Sequence, residues 1–128
     1  MKYIIFSVLC LISINVFAVS WKKVNENPTG DSYVDVDSLN KLNNIVYYLR
    51  LFDYFEPSPI GVHSSISKFK VDCIGEKITW ISSTYFSEPK GKGEILKEKT
   101  SNKVLYVRPG AGEYVTMKFV CNYKQMNT

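Results

Sequence analysis

Two cysteines carry the side chains most suited to chemistry in this sequence, and the chemistry that we expect is a bond between them. Three cysteines are present, and the first, Cys10, lies in an N-terminal segment that we expect to be removed. Catalytic or redox thiols usually have a CxxC partner or an activating histidine, whereas this chain has no CxxC pair and one histidine. A lone cysteine pair in a small exported domain usually forms a disulfide. We therefore predict a disulfide between Cys73 and Cys121.

The one histidine, His63, is the other candidate for catalysis because two serines, Ser64 and Ser65, follow it directly. A Ser-His-Asp triad can be drawn on paper, since serines and aspartates are plentiful. However, no serine lies within the glycine pattern of a nucleophile elbow. We interpret His63 as an ordinary loop residue and predict neither catalytic residues nor a cofactor.

A calcium site is suggested by three closely spaced aspartates, Asp31, Asp35 and Asp37. An EF-hand loop needs oxygen ligands at alternate positions and a glycine at the sixth. Counted from Asp35, the fifth and sixth positions are Leu39 and Asn40, so the pattern fails. Alternation along a strand would place Asp35 and Asp37 on the same solvent-facing side, and we predict no metal site.

A charged segment, residues 88–102, contains one proline, two glycines and several lysines, and this composition predicts a loop. Its lysines are candidates for contact with an acidic protein patch or an acidic polysaccharide. Glutamates are interleaved with them and dilute the positive field, so a solvated loop without a partner is the alternative. The lysines of this predicted basic loop are Lys90, Lys92, Lys97 and Lys99.

The N-terminus has the features of a secretory signal peptide. Lys2 precedes an apolar run over residues 3–14, and small residues before position 19 predict cleavage after Ala18. The apolar run is too short for a permanent membrane span. Cys10 lacks the preceding small residue that a lipid-anchor site needs, so we predict a cleaved signal over residues 1–18.

The remaining chain, residues 19–128, has the length of one domain with a modest core. The whole sequence carries a net charge of +4, and loss of Lys2 leaves +3. A charge of this size favours anionic partners weakly and does not indicate nucleic-acid binding.

Alternation of side-chain types predicts a central antiparallel hairpin over residues 64–87. Before Cys73, apolar residues alternate with charged ones, as in a half-buried strand. Gly75 interrupts the pattern as a turn would, and a second β-rich run follows over residues 78–85. Further strands are predicted at residues 21–24, 31–37 and 103–108.

Residues 45–55 are the longest apolar strand candidate, and both faces of this strand carry apolar or aromatic side chains. Such a strand is usually central and covered on both sides, so another element must pack on the second face of the sheet. Core packing explains its aromatic residues, and the alternative is a ligand groove between that element and the sheet. These residues are Tyr47, Tyr48, Phe52, Tyr54 and Phe55.

The last segment, residues 111–123, fits two kinds of structure. Apolar residues such as Val115 and Met117 alternate with polar ones, which favours a strand. The spacing of Met117 and Cys121 also fits one face of a helix, and Glu113 suits a first helical turn. Periodicity alone leaves both alternatives open.

Six short sequence pieces lie one after another along the chain. Their order and spacing together are more specific for a protein family than any single piece. They are Trp21-Lys22-Lys23-Val24, the run from Tyr33 to Leu39, Val71-Asp72-Cys73, Gly91-x-Gly93, the run from Pro109 to Glu113, and Cys121. In this order they resemble the surface-adhesin protein E family of bacterial exported domains.

The resemblance implies an α+β fold, in which an antiparallel sheet of about five to six strands carries a C-terminal helix on one face. The helix would span Gly112 to Asn122, and the disulfide would tether it to the sheet. The same helix would cover the second face of the strand at residues 45–55.

The resemblance also implies an exported, non-enzymatic binding module that recognises a macromolecule at the bacterial surface or in the periplasm. Adhesive members can be lipid-anchored, whereas this chain has no lipid-anchor site. A periplasmic inhibitor or immunity-type protein is therefore the alternative, and an enzyme is a weaker one.

Overall fold

A single antiparallel sheet of eight strands forms most of the domain, and one helix packs on it. The computed structural model describes residues 20–124, so the predicted signal peptide lies outside the described residues. The strands are β1 (Trp21–Asn27), β2 (Gly30–Asp35), β3 (Asn40–Leu42), β4 (Ile45–Tyr54), β5 (Ser64–Asp72), β6 (Lys77–Glu88), β7 (Lys92–Thr100) and β8 (Val104–Tyr106), and the helix is α1 (Gly112–Asn122).

The strand order β1-β2-β4-β5-β6-β7 places β4 and β5 in the middle of the sheet. The short strands β3 and β8 pair with β4 and β6. Strand β8 lies within the predicted strand at residues 103–108, so β3 and β7 are the two strands beyond the predicted six. The α+β class and the helix over Gly112–Asn122 are confirmed. No helix within residues 20–124 has the length and apolar character needed to cross a membrane.

The core lies between α1 and one half of the sheet. Side chains of β4 and β5 alternate between the two faces, so Tyr48 and Phe69 pair across the strands and stack with ring centroids 5.4 Å apart. Met117 and Val120 of the helix pack on this layer. The fully assembled core comprises Val34, Leu39, Val46, Tyr48, Phe69, Val71, Ile78, Met117 and Val120.

The second face of β4 is covered by a turn rather than by the helix. Leu51 points away from α1 and is completely buried. Above it lies the short 3-10 turn Pro89–Gly91, where Gly91 has a φ of +71°. A Cβ at Gly91 would lie 2.7 Å from Cδ1 of Ile66, so only glycine fits this close approach. The helix packs on one face of β4, as the resemblance implies. On the other face the turn covers Leu51, whereas Ile45, Tyr47 and Leu49 stay partly exposed.

The predicted loop over residues 88–102 is wrong, because most of it forms the edge strand β7. The turn at Pro89–Gly91 reverses the chain, and residues 92–100 then pair with β6. All nine residues of β7 are exposed. An edge strand whose two faces are both exposed to solvent has the charged composition of a loop. Composition alone therefore predicts a loop for this segment.

The disulfide between Cys73 and Cys121 joins the end of β5 to the last turn of the helix, with the two Cα atoms 5.8 Å apart. The bond closes a 48-residue separation. Restricting a loop of that size in the unfolded chain stabilises the fold by about 4 kcal/mol at most.

We expect the double substitution Cys73→Ser/Cys121→Ser to lower the free energy of unfolding by about 2–4 kcal/mol, because the unfolded chain regains its loop entropy. Urea unfolding followed by circular dichroism measures this loss. Reductant should destabilise the natural chain by a similar amount and leave the variant unchanged. Equal stability of the two oxidised proteins would show that the bond contributes nothing.

Tyr48 provides a second test of the core. Burial raises the pKa of its hydroxyl well above its ordinary value, and the nearby Glu113 carboxylate raises it further. Above about pH 10 the unfolded chain therefore loses this proton while the folded chain keeps it. Stability contributed by Tyr48 is present below that pH and falls as the pH rises, by at most about 1.4 kcal/mol per pH unit.

We expect Tyr48→Phe to flatten the fall of the unfolding free energy above about pH 10, since phenylalanine has no proton to lose. Urea unfolding at a series of alkaline pH values measures the slope. Tyr106→Phe is the matched control, because Tyr106 is 76% exposed. Parallel slopes for Tyr48→Phe and the natural chain would contradict the burial of this hydroxyl.

Candidate functional site

The helix covers only part of its face of the sheet, and the uncovered part contains an open cleft of about 310 Å³. We call it the helix-side cleft. Strands β4, β5 and β6 form its floor, the start of α1 forms one wall, and Leu105 of β8 lies at its side. The cleft is therefore built mainly from the central strands.

Strand register brings the polar residues of the floor together. Arg50 of β4 lies opposite Ser67 of β5, which in turn lies opposite Ser83 of β6. Ser65 lies two residues further along β5, opposite Tyr85. Directly opposed residues project from the same face of a sheet, so these side chains form two short rows across the floor.

The serines of the floor are buried, although the cleft above them is open. Ser65, Ser67 and Ser83 are each at most 3% exposed. The indole Nε1 of Trp80 donates to Ser83 Oγ at 2.8 Å, and the hydroxyls of Ser67 and Ser83 are hydrogen-bonded to each other. Within the described residues, Ser65 Oγ has no hydrogen-bond partner. The floor thus combines hydroxyl groups with an oriented indole ring.

An ion pair between Arg50 and Glu113 forms the end of the cleft beside the helix. Arg50 Nη1 donates to both carboxylate oxygens of Glu113, at 2.5 and 2.6 Å. The guanidinium carbon also lies 5.0 Å from the ring centroid of Phe69. Glu113 lies in the first helical turn, where a carboxylate interacts favourably with the helix dipole. The pair therefore fixes the start of α1 to β4.

The sequence interpretation missed this ion pair. Glu113 suits a helix start, and Arg50 lies within an apolar strand, so neither residue indicates the other. The only available signal was a lone arginine among apolar residues of a central strand. Such a residue needs a buried partner, but side-chain periodicity does not identify which acidic residue is that partner.

The four lysines predicted for partner binding do not lie together. Lys97 and Lys99 lie opposite Tyr85 and Ser83, so they project beside the helix-side cleft. Lys92 lies at the start of β7. Lys90 is on the other side of the sheet, with Nζ 3.8 Å from the ring centroid of Tyr33.

Lys103, which follows the predicted basic loop, lines the helix-side cleft itself. Lys99 Nζ lies 5.1 Å from the ring centroid of Trp80. These two lysines and Lys97 give this side of the cleft a positive charge.

The aromatic residues predicted for either the core or a groove divide between the two roles. Tyr48 belongs to the core, whereas Tyr54 lines the cleft. Phe52 packs edge-on against Tyr54, with centroids 4.8 Å apart. Tyr47 lies on the opposite face of β4, and Phe55 is 61% exposed.

The residues considered for catalysis lie apart. Ser64 and Ser65 project from opposite faces of β5, and Ser64 Oγ donates to the Glu88 carbonyl and accepts from Gly91 N. His63 Nδ1 lies 3.2 Å from the carbonyl of Gly61 in its own loop. In the part of the chain that the structure describes, Ser64 positions the turn above β4, and the His63 ring contacts its own loop.

The placement of the aspartates corrects one prediction. Asp35 is 4% exposed rather than solvent-facing, and its Oδ1 accepts from the backbone N–H groups of Ser20 and Asp37, both at 3.1 Å. Asp37 is exposed as predicted. The chain turns directly after β2, so alternation no longer applies there. No cluster of His, Cys, Asp or Glu in residues 20–124 is suited to a metal ion.

A curled antiparallel sheet with a disulfide-tied helix on one face defines a small α+β domain. Residues 21–122 match the family described as surface-adhesin protein E, and the chain belongs to this family. The resemblance noted in the sequence is thereby confirmed. Comparison with curated proteins gives no match.

Solved structures of Haemophilus influenzae protein E share the fold. Crystal form II has a TM-score of 0.65 at 18% identity, covering 89% of this chain and 96% of that chain. The selenomethionine form has a TM-score of 0.64 at 19% identity, covering 88% and 95%. Protein E from non-typeable H. influenzae has a TM-score of 0.61 at 18% identity, covering 88% and 82%.

We expect Arg50→Met and Glu113→Met each to destabilise the protein by about 1–3 kcal/mol, because each leaves a half-buried charge without its partner. The double variant should lose less than the sum of the two, since no orphaned charge remains. Urea unfolding of the four proteins measures the coupling energy. Glu98→Gln on the exposed strand β7 is the control and should change little, and additive losses would show that the pair is not coupled.

Proposed function

We propose that this chain is an exported, non-enzymatic binding module that recognises a macromolecular partner at the bacterial surface. The observation that carries the proposal is the match of residues 21–122 to a family described as a surface adhesin. The family description concerns adhesion rather than catalysis.

The arrangement of the helix-side cleft supports a binding role. It offers aromatic rings, buried hydroxyls and cations on a rigid sheet, which are features of recognition sites. Glu113, the carboxylate at the cleft, is held in an ion pair with Arg50. Both oxygens of this carboxylate accept from Arg50 Nη1, so the carboxylate is already engaged within the protein.

Export is supported by the signal-like pattern of residues 1–18 and by a disulfide, which persists mainly in oxidising compartments. The absence of a lipid-anchor pattern around Cys10 is the sequence feature that favours the second candidate. That candidate is a periplasmic interaction protein of the inhibitor or immunity type.

Labelling of intact bacteria with a membrane-impermeant amine reagent distinguishes the two locations. The exposed lysines of β7 are natural targets, and we expect their modification on intact cells, together with a mature N-terminus at Val19 by mass spectrometry. Labelling that appears only after the outer membrane is permeabilised would place the protein in the periplasm. An uncleaved chain in the cytoplasm would contradict export altogether.

Capture experiments then test binding itself. Purified mature protein on beads should retain a partner from host matrix if it is an adhesin, or from an envelope extract if it acts in the periplasm. Beads carrying the reduced, unfolded chain are the control for nonspecific capture. Retention by neither source would contradict the binding module.

A further inference from the structure

Hydrogen-bond donors outnumber their acceptors on the floor of the helix-side cleft. Trp80 Nε1–H, Ser67 O–H and Ser83 O–H supply three donors. The indole bonds to Ser83 Oγ and the Ser82 carbonyl, and one hydroxyl donates to the other. Whichever serine donates, the second hydroxyl proton has no acceptor within the described residues. The hydroxyl of Ser65, which lines the open cleft, also has no partner there. Buried donors of this kind usually meet an acceptor.

Arg50 adds donors of the same kind. Its Nη1 alone is engaged by Glu113, and its Nε is buried with no hydrogen-bond partner in residues 20–124. The Nε and Nη2 groups form the fork of a guanidinium that carboxylates and other oxyanions match in geometry. Within the described part of the chain, this fork stays unpaired while the rest of the side chain is held by Glu113 and Phe69.

The charge of the surroundings selects an anionic acceptor. The one carboxylate that lines the cleft, Glu113, is neutralised by Arg50. Lys103 lines the same space, and Lys97 and Lys99 project beside it. None of these three lysines forms an ion pair in the part of the chain that the structure describes. The cleft therefore favours an acid group over a neutral or basic one.

The remaining lining favours a sugar over a peptide as the carrier of that acid group. Tyr54, Trp80 and Tyr85 offer flat apolar rings beside the serine hydroxyls. A pyranose ring has an apolar face that packs on such rings and hydroxyls that accept from such donors. A volume of about 310 Å³ is at the lower end for ligand sites and suits one unit of a chain entering from the open side.

From these observations we infer that the helix-side cleft binds an acidic saccharide. Its acid group lies against Lys103 and the free edge of Arg50, and its ring and hydroxyls lie against Trp80 and the serines. This inference rests on the proposed binding function and specifies the class of its ligand.

Tryptophan fluorescence provides the assay. The chain has two tryptophans, and Trp21 lies on β1 at the far edge of the sheet. Trp21→Phe therefore leaves Trp80 as the sole reporter, inside the cleft. We expect saturable binding of oligogalacturonate or of a sulfated oligosaccharide, and at least tenfold weaker binding of methyl-esterified oligogalacturonate.

Single substitutions locate the site. We expect Lys103→Gln to weaken binding by about tenfold and Ser65→Ala by about threefold, as for loss of one charged and one neutral hydrogen bond. Lys68→Gln is the matched control, because Lys68 is exposed on the opposite face of the sheet, and it should not change binding. Equal losses for Lys103→Gln and Lys68→Gln would overturn the inference in favour of diffuse charge attraction.

Two further results would overturn the inference. Binding of polyglutamate but of no saccharide would identify an acidic peptide as the ligand. Failure of every acidic oligosaccharide to bind, while the Lys103→Gln/Ser65→Ala variant still captures its partner as the natural chain does, would reject the cleft and keep the binding module. If the natural chain also captures no partner, the proposed binding function is rejected together with this inference.

Discussion

The helix depends on attachment at both of its ends. Its buried contribution to the core is small, with Met117 and Val120 as its buried apolar side chains among the described residues. The disulfide at Cys121 secures its last turn, and the ion pair of Glu113 secures its first. Because both ends are fixed, the helix covers the Tyr48 half of the sheet and leaves the Trp80 half open, which creates the cleft.

Patterns within single segments predicted much of this fold. The alternation before Cys73 identified β5, and the two-faced apolar run identified β4 as a central strand. The cysteine pair followed from counting and compartment. The helix at Gly112–Asn122 was not decided by periodicity, since strand and helix spacing both fitted, and the family resemblance was needed to choose between them. The two strand predictions share a cause, because burial imposes its pattern directly on the sequence.

The features that the sequence did not predict are those that depend on two distant segments. Strand β7 is wet on both faces, so burial leaves no pattern in it. Asp35 is buried because the chain turns back over it, and the Arg50–Glu113 pair joins residues 63 positions apart. The cleft itself arises from register among β4, β5 and β6. Register is a property of pairs of strands, and no single segment encodes it.

The exposed edge of β7 has a consequence for the solution behaviour of the domain. Its outer backbone N–H and C=O groups can template a further strand, which is a route to aggregation. The alternating lysines and glutamates of β7 oppose such pairing, because a second sheet edge would have to desolvate them. Lys97 and Lys99 thus serve colloidal stability as well as the cleft. Substitutions that made the exposed side chains of this strand more apolar would therefore lower the solubility of the domain.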